Sequence, residues 1–448
     1  MKKLFTLLML SMVLFVSCSD DDDPINNFEP TLEVNLDTQT ITFSFDGNGD
    51  TYSININSNT KWTANSDANW LKLSATSGEG DATIYMTADE NPEQENQTTT
   101  VTVKADGLEK EATINIVQQK RPKGTAGLYI LSEGSWGRNQ AELAYYNVKT
   151  EGLEKKIFEA RNSSKLGDTG NDLAIYGSKM YCVVSGASTE TGGGHIEVIN
   201  PATGISIKRI PFVDAEGEAD LPRRIAFHKN KAYVTAHSGI VARLDTASLS
   251  IDGYAKLSGD GTEGIAKYDG KLYTCNSGKG SGNTISVIDI ASFKETNTIT
   301  VPRNPVNIKA STTGEIYFST DMLYDADPME SSRLHSINIK SGNITSYYNN
   351  AGRLAIGNGY IYSIETDYTT YGSYAKKIKI GTETESDFTT GLSDYFMGYS
   401  VSVNPLDGNI YALGQGQDVA ILDADGNLIK SLKVGTGFGN TVVPVYEY

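Results

Sequence analysis

Apolar residues and tyrosines recur at a nearly constant spacing along residues 127–448. Each recurrence is a turn followed by an apolar strand-like segment with one tyrosine, which we call the anchor of the repeat. The seven anchors are Tyr129, Tyr181, Tyr233, Tyr273, Tyr317, Tyr362 and Tyr411. Their mean spacing is about 47 residues, and repeats of this length with several strands each are typical of propeller blades. The pattern therefore predicts an all-β chain whose main body, residues 127–448, is a seven-bladed β-propeller.

The first repeat lacks an apolar segment before its anchor. The chain ends, however, with a strand-like run from Thr441 to Tyr446 that no other repeat needs. We expect this run to become the innermost strand of the first blade, because a closed ring leaves no unpaired strand edge.

Residues 31–119 show a different pattern, with short segments in which apolar and polar residues alternate. Examples are Thr51–Asn57 and Thr100–Val103, and turn residues separate them. Alternation with period two indicates strands that are buried on one face. We predict an Ig-like β-sandwich here, joined to the propeller by a polar linker at residues 120–126.

The N-terminus has the features of an export signal. Lys2 and Lys3 precede an apolar run at residues 4–16 that is too short to anchor stably in a bilayer. Residues 15–18 (FVSC) resemble a bacterial lipobox, which implies that Cys18 is acylated. The acidic block that follows resembles the signal that sends lipoproteins of the Bacteroidota to the cell surface. We therefore expect residues 1–18 to be a lipoprotein signal peptide and residues 19–30 a tether at the outer membrane.

Composition excludes several functions. The net charge of −17 argues against a nucleic-acid partner, which would require clustered Lys and Arg. Of the three cysteines, Cys182 and Cys275 lie in apolar segments and are expected to be buried thiols. The four histidines fall in different repeats without metal-binding spacing. Asp321, Asp325 and Asp327 could hold Ca²⁺ but lack the full ligand set. We expect no enzymatic activity, no cofactor and no metal.

One face of the predicted ring carries long loops. Loops between second and third strands are long at 132–142, 185–195, 319–333 and 365–374, while turns on the opposite face are short. Long loops on one face mark a functional surface. They contain aromatic residues that the strand pattern does not require, which are Trp136, Tyr324, Tyr368, Tyr371, Tyr374, Tyr395, Phe396 and Phe438. Such a rim suits a ligand with a flat apolar surface.

The residues that open the innermost strands are expected to ring the mouth of the central channel. They are Asp172, Arg224, Gly264, Asn307, Arg353, Ser400 and Thr441, with Asn171 and Arg223 beside them. The guanidinium groups of Arg223, Arg224 and Arg353 offer paired donors to carbonyl or carboxylate groups of a ligand, and Arg138 joins them from its loop. Buried pairing of these arginines with Asp172 or Glu263 is an open alternative.

The N-terminal sandwich resembles the BACON domain. The matching residues are Lys61-Trp62, Asn69–Ser74, Ser77–Asp81, Asn91 and the closing run Ile114–Gln119. The resemblance implies a surface module for which carbohydrate binding has been proposed, which would use Trp62 and Trp70. Their place in the strand pattern favours core packing instead. We expect the module to act as a spacer between the membrane and the propeller.

The propeller resembles a DUF5074-like family of Bacteroidota surface lipoproteins, allied to the YncE-like propellers. The motifs are Leu128–Gly137, Ala144–Asn147 and Leu166–Leu173. The resemblance implies capture of a small ligand, with cobalamin or a related corrinoid as the first expectation, and delivery to a TonB-dependent outer-membrane transporter. A glycan-binding protein of a polysaccharide-uptake system is the alternative, and a propeller hydrolase or lactonase is a third.

Overall fold

The computed structural model describes residues 29–35, 40–47, 52–326, 329–389, 392–416, 418–434 and 437–448. The predicted signal peptide, Cys18 and nearly all of the acidic tether lie outside these residues. In the part of the chain that is described, no helix combines the length and the apolar character needed to cross a membrane.

The N-terminal domain is a sandwich of two sheets, with strand orders β1-β3-β7-β5 and β2-β9-β8-β4-β6. Its strands are β1 (Leu32–Asn35), β2 (Thr40–Phe43), β3 (Tyr52–Ser58), β4 (Lys61–Asn65), β5 (Leu71–Leu73), β6 (Ser77–Glu79), β7 (Ala82–Ala88), β8 (Gln97–Ala105) and β9 (Ala112–Gln118). Alternate residues point inward, as the sequence predicts, and Ile54, Ile84 and Val101 fill the core. Trp62 is buried there and Trp70 packs against its edge, so neither forms an exposed sugar platform.

Seven four-stranded antiparallel sheets follow, which confirms the predicted seven-bladed propeller. The first six blades contain β10 (Gly124–Ser132), β11 (Glu142–Asn147), β12 (Leu153–Glu154), β13 (Gly170–Tyr176), β14 (Lys179–Val184), β15 (His195–Ile199), β16 (Ser206–Pro211), β17 (Pro222–His228), β18 (Lys231–Ala236), β19 (Ile240–Asp245), β20 (Ser250–Lys256), β21 (Thr262–Tyr268), β22 (Lys271–Asn276), β23 (Thr284–Asp289), β24 (Lys294–Thr300), β25 (Pro305–Ala310), β26 (Glu315–Thr320), β27 (Arg333–Asn338), β28 (Ile344–Asn349), β29 (Arg353–Gly357), β30 (Tyr360–Asp367), β31 (Gly372–Lys379) and β32 (Thr384–Asp387). The seventh contains β33 (Gly398–Val403), β34 (Ile410–Gly414), β35 (Asp418–Leu422) and β36 (Leu428–Lys433). A short helix, α1 (Ile157–Asn162), lies between β12 and β13.

The last strand, β37 (Gly439–Glu447), closes the ring. It pairs antiparallel with β10 from Gly439 opposite Ser132 to Glu447 opposite Gly124, so the chain end supplies the innermost strand of blade one, as predicted. This pairing extends β10 back to Gly124, which shortens the linker expected at residues 120–126.

A separate apolar core fills the space between each pair of neighbouring blades. The anchor tyrosine of every blade is buried in one of these cores, and Cys182 and Cys275 are buried as free thiols. The repeated tyrosine thus packs one blade against the next, which explains why the sequence pattern identifies the blades.

The sandwich packs against the propeller face that carries the short turns. Phe45 meets Tyr446 edge-on with ring centroids 5.5 Å apart, and the rings of Tyr52 and His228 lie 6.0 Å apart. Arg121 Nη2 donates to the carbonyl oxygen of Leu406 at 2.8 Å. A cavity of about 920 Å³ remains between the domains. The sandwich is therefore a docked cap on this face, a contact that the spacer prediction does not include.

Candidate functional site

The innermost strands bring one residue from each blade around the upper part of the axial channel, near the long loops. A cavity of about 250 Å³ here is lined by Asp172, Arg224, Gly264, Asn307, Arg353, Ser400 and Thr441, together with apolar residues of the same strands. Six of the seven innermost strands carry a β-bulge at this level, and only β29 is regular. Bulges at the rim of a sheet redirect side chains, and here they lie beside the residues that line the mouth.

Arg353 contacts two buried partners, the carboxylate of Glu133 and the ring and hydroxyl of Tyr399. Its Nη2 donates to Tyr399 Oη at 2.7 Å and lies 3.4 Å from Glu133 Oε2. Its guanidinium sits 4.4 Å from the centre of the Tyr399 ring, and Tyr399 Oη donates to Glu133 at 2.5 Å. Burial alone would lower the pKa of Arg353, but Tyr399 and Glu133 raise it overall. Arg353 is therefore a fixed, charged part of the channel wall.

Arg223 is paired in the same way. Its Nε donates to Glu263 Oε2 at 2.8 Å, and His237 Nε2 lies 3.0 Å from Glu263 Oε1. Burial opposes ionisation of Glu263, but Arg223 and His237 outweigh it and lower the pKa of this carboxyl to about 2. Buried pairing, the alternative left open by the sequence, is thus what the structure shows for Arg223, although the partner of Arg353 is Glu133.

Asn171 links these two networks. Its side chain is fully buried. With its amide nitrogen toward Glu133, Asn171 donates to Oε1 at 3.2 Å and accepts from Arg223 Nη1 at 2.9 Å. A continuous set of polar contacts therefore runs from Arg353 to Glu263. Because these groups hydrogen-bond to one another, they stabilise the channel mouth and are not free to bind a ligand.

Arg224 differs from its neighbours. Among the described residues its guanidinium makes no hydrogen bond or ion pair, although Asp172 lines the same cavity. Burial lowers the pKa of Arg224 to about 10, and repulsion from Arg353 adds to the shift. Of the three channel arginines predicted to bind ligand, Arg224 is the one whose guanidinium has no hydrogen-bond or ion-pair partner among the described residues.

A second group of polar residues lies at the edge of the mouth, on blades five and six. Glu365 and Asp321 interact electrostatically with each other and with Arg353. Burial, reinforced by Asp321, raises the pKa of Glu365 to about 7. The exposed rings of Tyr324 and Tyr368 flank these carboxyls, and Gln415 Nε2 donates to Tyr368 Oη at 2.7 Å.

The proton on Glu365 should make stability depend on pH. Because the folded state holds this proton more tightly than the unfolded chain, whose glutamates titrate near 4.5, the free energy of unfolding falls as the pH rises from about 4.5 to 7. Glu365→Gln removes that loss. We expect urea unfolding to show the variant more stable than the parent by about 2 to 3 kcal/mol at pH 8 and nearly equal to it at pH 4.

A matched control for this prediction is Glu385→Gln, which changes an exposed carboxylate on β32 of the same blade. It should give the same small difference at both pH values. A Glu365→Gln variant with no dependence on pH would contradict the environment described for Glu365.

The predicted aromatic rim is only partly correct. Trp136, Tyr368, Tyr371 and Tyr395 are exposed on the loops, with exposed fractions from 59% to 79%, and Arg138 is exposed beside Trp136. Tyr371 also has a φ of 60°, which is strained for a non-glycine residue.

Two other predicted rim residues differ from Trp136 and its neighbours. Phe396 is 8% exposed and packs in the core between blades six and seven, because it is the apolar neighbour that anchors the loop holding Tyr395. Tyr374 is half-buried within β31, opposite Glu365, rather than in a loop. The prediction that Phe396 is exposed on the rim is therefore wrong, whereas Tyr374 stays partly exposed.

The possible Ca²⁺ site at Asp321, Asp325 and Asp327 is described only in part. Asp325 forms an ion pair with Arg303, and Asp327 lies outside the described residues. Within the described part of the chain, no group of three or more His, Cys, Asp or Glu residues is arranged to hold a metal ion.

Lys309 is a residue of the channel that the sequence reasoning missed. It lines the same cavity as Arg224 and follows the ring residue Asn307 by two positions. Residues two apart on a strand point to the same side, so the alternation of β25 contained the signal.

The ring of blades, the lined channel and the docked sandwich define a two-domain protein with a BACON module and a β-propeller. The model of DUF5074, a domain of unknown function, matches residues 126–442, and the chain belongs to this family. The model of the viral BACON domain matches residues 32–119. No curated protein sequence matches the chain.

Solved structures are similar to this chain. A quinonprotein alcohol dehydrogenase-like protein from Bacteroides thetaiotaomicron is similar over 93% of this chain and 99% of its own, with a TM-score of 0.52 and 12% identity. Hydrazine synthase from Kuenenia stuttgartiensis matches 60% of this chain and 92% of its own, with a TM-score of 0.48 and 15% identity. At these identities, the first likeness shows a shared architecture and nothing about activity.

Proposed function

We propose that this protein is a non-enzymatic, lipid-anchored receptor on the outer face of the outer membrane that captures a corrinoid such as cobalamin on its long-loop face. One observation carries the proposal. Six tryptophans and tyrosines of the described residues have strongly exposed side chains, and five of them lie in loops of this face, namely Trp136, Tyr324, Tyr368, Tyr371 and Tyr395. Exposed aromatic clusters of this kind are binding surfaces.

The arrangement suits a flat ligand with a polar edge. The five rings lie in the β26–β27, β30–β31 and β10–β11 loops of blades five, six and one and in the loop between blades six and seven. The hydrogen-bonding groups next to them include Gln415, Asp321 and Glu365, and Glu365 can donate when it is protonated. A corrin ring offers flat apolar faces and peripheral amides, which such rings and polar groups can contact together.

Membrane attachment and transport complete the proposal. Cys18 would be the acylated residue, and the acidic tether would hold the propeller at the cell surface. The sandwich covers the short-turn face, so the long-loop face is the one that remains free for the ligand and for a TonB-dependent transporter that would receive it.

Calorimetric titration with cyanocobalamin tests this function. We expect saturable binding that Trp136→Ala weakens by about tenfold, which corresponds to about 1.4 kcal/mol, the scale of one aromatic contact. Tyr371→Asn should weaken binding similarly without loss of stability, because Asn tolerates a positive φ better than Tyr. Tyr448→Ala is the control, since Tyr448 is exposed on the opposite face. No binding, or equal weakening by all three changes, would contradict the proposal.

A glycan is the second candidate ligand. The observation in its favour is that exposed Tyr324 and Tyr368 stand beside carboxyl and amide groups, a combination that stacks on sugar rings and hydrogen-bonds to their hydroxyls. Binding of soluble oligosaccharides with no heat from cyanocobalamin would select this alternative.

A further inference from the structure

Lys309 and Arg224 are two cations that line the axial channel. Among the described residues, neither the ammonium of Lys309 nor the guanidinium of Arg224 makes a hydrogen bond or an ion pair, although both line the cavity of about 250 Å³. Their neighbours Arg223 and Arg353 are both paired with buried carboxylates. The channel therefore presents free positive charge inside a protein whose net charge is −17.

The layer of the channel that holds Lys309 is otherwise uncharged. The residues at the corresponding position of the other six innermost strands are Ala174, Ala226, Ala266, Ala355, Ser402 and Val443. Five of these six are alanine or serine, so one long cationic side chain projects into a space that its neighbours leave open. The side chain of Lys309 is itself exposed to this space, so its ammonium is available to an anion in the channel.

The carboxylate of the cavity does not neutralise both cations. Asp172 accepts backbone N–H groups with both of its oxygens, from Leu173 at 3.0 Å and from Ile225 at 3.1 Å. Desolvation lowers the pKa of Lys309, and repulsion from Arg224 opposes the attraction of Asp172. Asn440 also lines the cavity, and its buried Nδ2 has no acceptor among the described residues.

We propose that the axial channel is a binding site for a small carboxylate with a short hydrocarbon chain, held by Arg224 and Lys309. The guanidinium of Arg224 matches the two oxygens of a carboxylate, and Lys309 supplies a second cation. The cavity is also lined by Ile265, Ile356 and Val403, which would contact a short alkyl chain. Lys309, Ile265 and Ile356 also line the cavity between the propeller and the sandwich, so the channel continues toward the docked sandwich. This site does not depend on the corrinoid proposal.

Butyrate is the probe that tests this proposal. We expect calorimetry or ligand-detected NMR to show one saturable site for sodium butyrate and none for 1-butanol or butylammonium. Lys309→Met keeps the length of the side chain and removes its charge, and it should weaken butyrate binding about tenfold or more, the scale of a charged hydrogen bond. Arg224→Gln should do the same. Lys294→Met is the control, because Lys294 is exposed on an outer strand, and it should leave binding unchanged.

Several outcomes would overturn the site. These are no saturable butyrate binding, unchanged affinity in Lys309→Met, equal losses in Lys309→Met and Lys294→Met, or equal binding of 1-butanol. Tighter binding of inorganic phosphate than of butyrate would overturn the assignment to a carboxylate with an alkyl chain. If Arg224→Gln does not fold, as judged by near-ultraviolet circular dichroism, Lys309→Met decides alone. Titration of Lys309→Met with cyanocobalamin separates the two proposals, since corrinoid affinity should not change.

Discussion

Deleting residues 440–448 is expected to unfold the propeller. This segment forms almost all of β37, which pairs with β10 along its length and buries Val442 in the core between blades seven and one. Its removal opens the ring and leaves an unpaired edge on blade one. The loss of a whole strand is comparable to the total stability of a domain, about 5 to 15 kcal/mol. Near-ultraviolet circular dichroism at 25 °C should show that the tertiary signal of the propeller is lost.

The matched control is deletion of Tyr448 alone, which leaves every pair between β37 and β10 in place. It should melt close to the full-length protein. If the chain without residues 440–448 kept the parental melting temperature and spectrum, the ring would not depend on its closing strand.

Arg353→Ala is expected to have the second largest effect. The change leaves Glu133 buried at the channel mouth without its cation and removes the contact with the Tyr399 ring. Breaking a buried pair from one side costs about 3 to 5 kcal/mol, because the remaining charge is uncompensated. Urea unfolding should show a loss of this size, and adding Glu133→Gln should restore part of it.

Arg303→Ala provides the comparison for Arg353→Ala. Arg303 pairs with Asp325, whose side chain is 67% exposed, and water screens such a pair, so Arg303→Ala should cost much less stability than Arg353→Ala. Equal losses in the two variants, or no recovery on adding Glu133→Gln, would contradict the role given to the buried pair.

The blades could be predicted because their signal is local and repeated. The turn, the apolar strand and the buried tyrosine lie within a few residues of one another, and each blade repeats them. The closing strand could also be predicted, since the first repeat lacked an innermost strand and the last run lacked a partner. The blades need a buried tyrosine and the ring needs a paired strand edge, and each requirement is visible as a pattern in the sequence.

The contacts of the site were harder to predict because they join distant residues. Glu133 and Arg353 are 220 positions apart, and only closure of the ring brings them together. The sequence placed Arg353 at the mouth but could not show whether it faced a ligand or a carboxylate. In irregular loops, the sequence likewise could not show which residue is buried, as for Tyr395 and Phe396. They are neighbours with exposed fractions of 79% and 8%, and a loop has no periodicity that separates them.

Hydrogen–deuterium exchange with and without cyanocobalamin can show whether the ligand binds on the long-loop face. We predict that the ligand slows exchange in the loops at 133–141, 321–326 and 368–371, while the short turns at 177–178, 229–230 and 269–270 are unaffected. Protection confined to those turns or to the sandwich, or no protection at a saturating ligand concentration, would contradict the account.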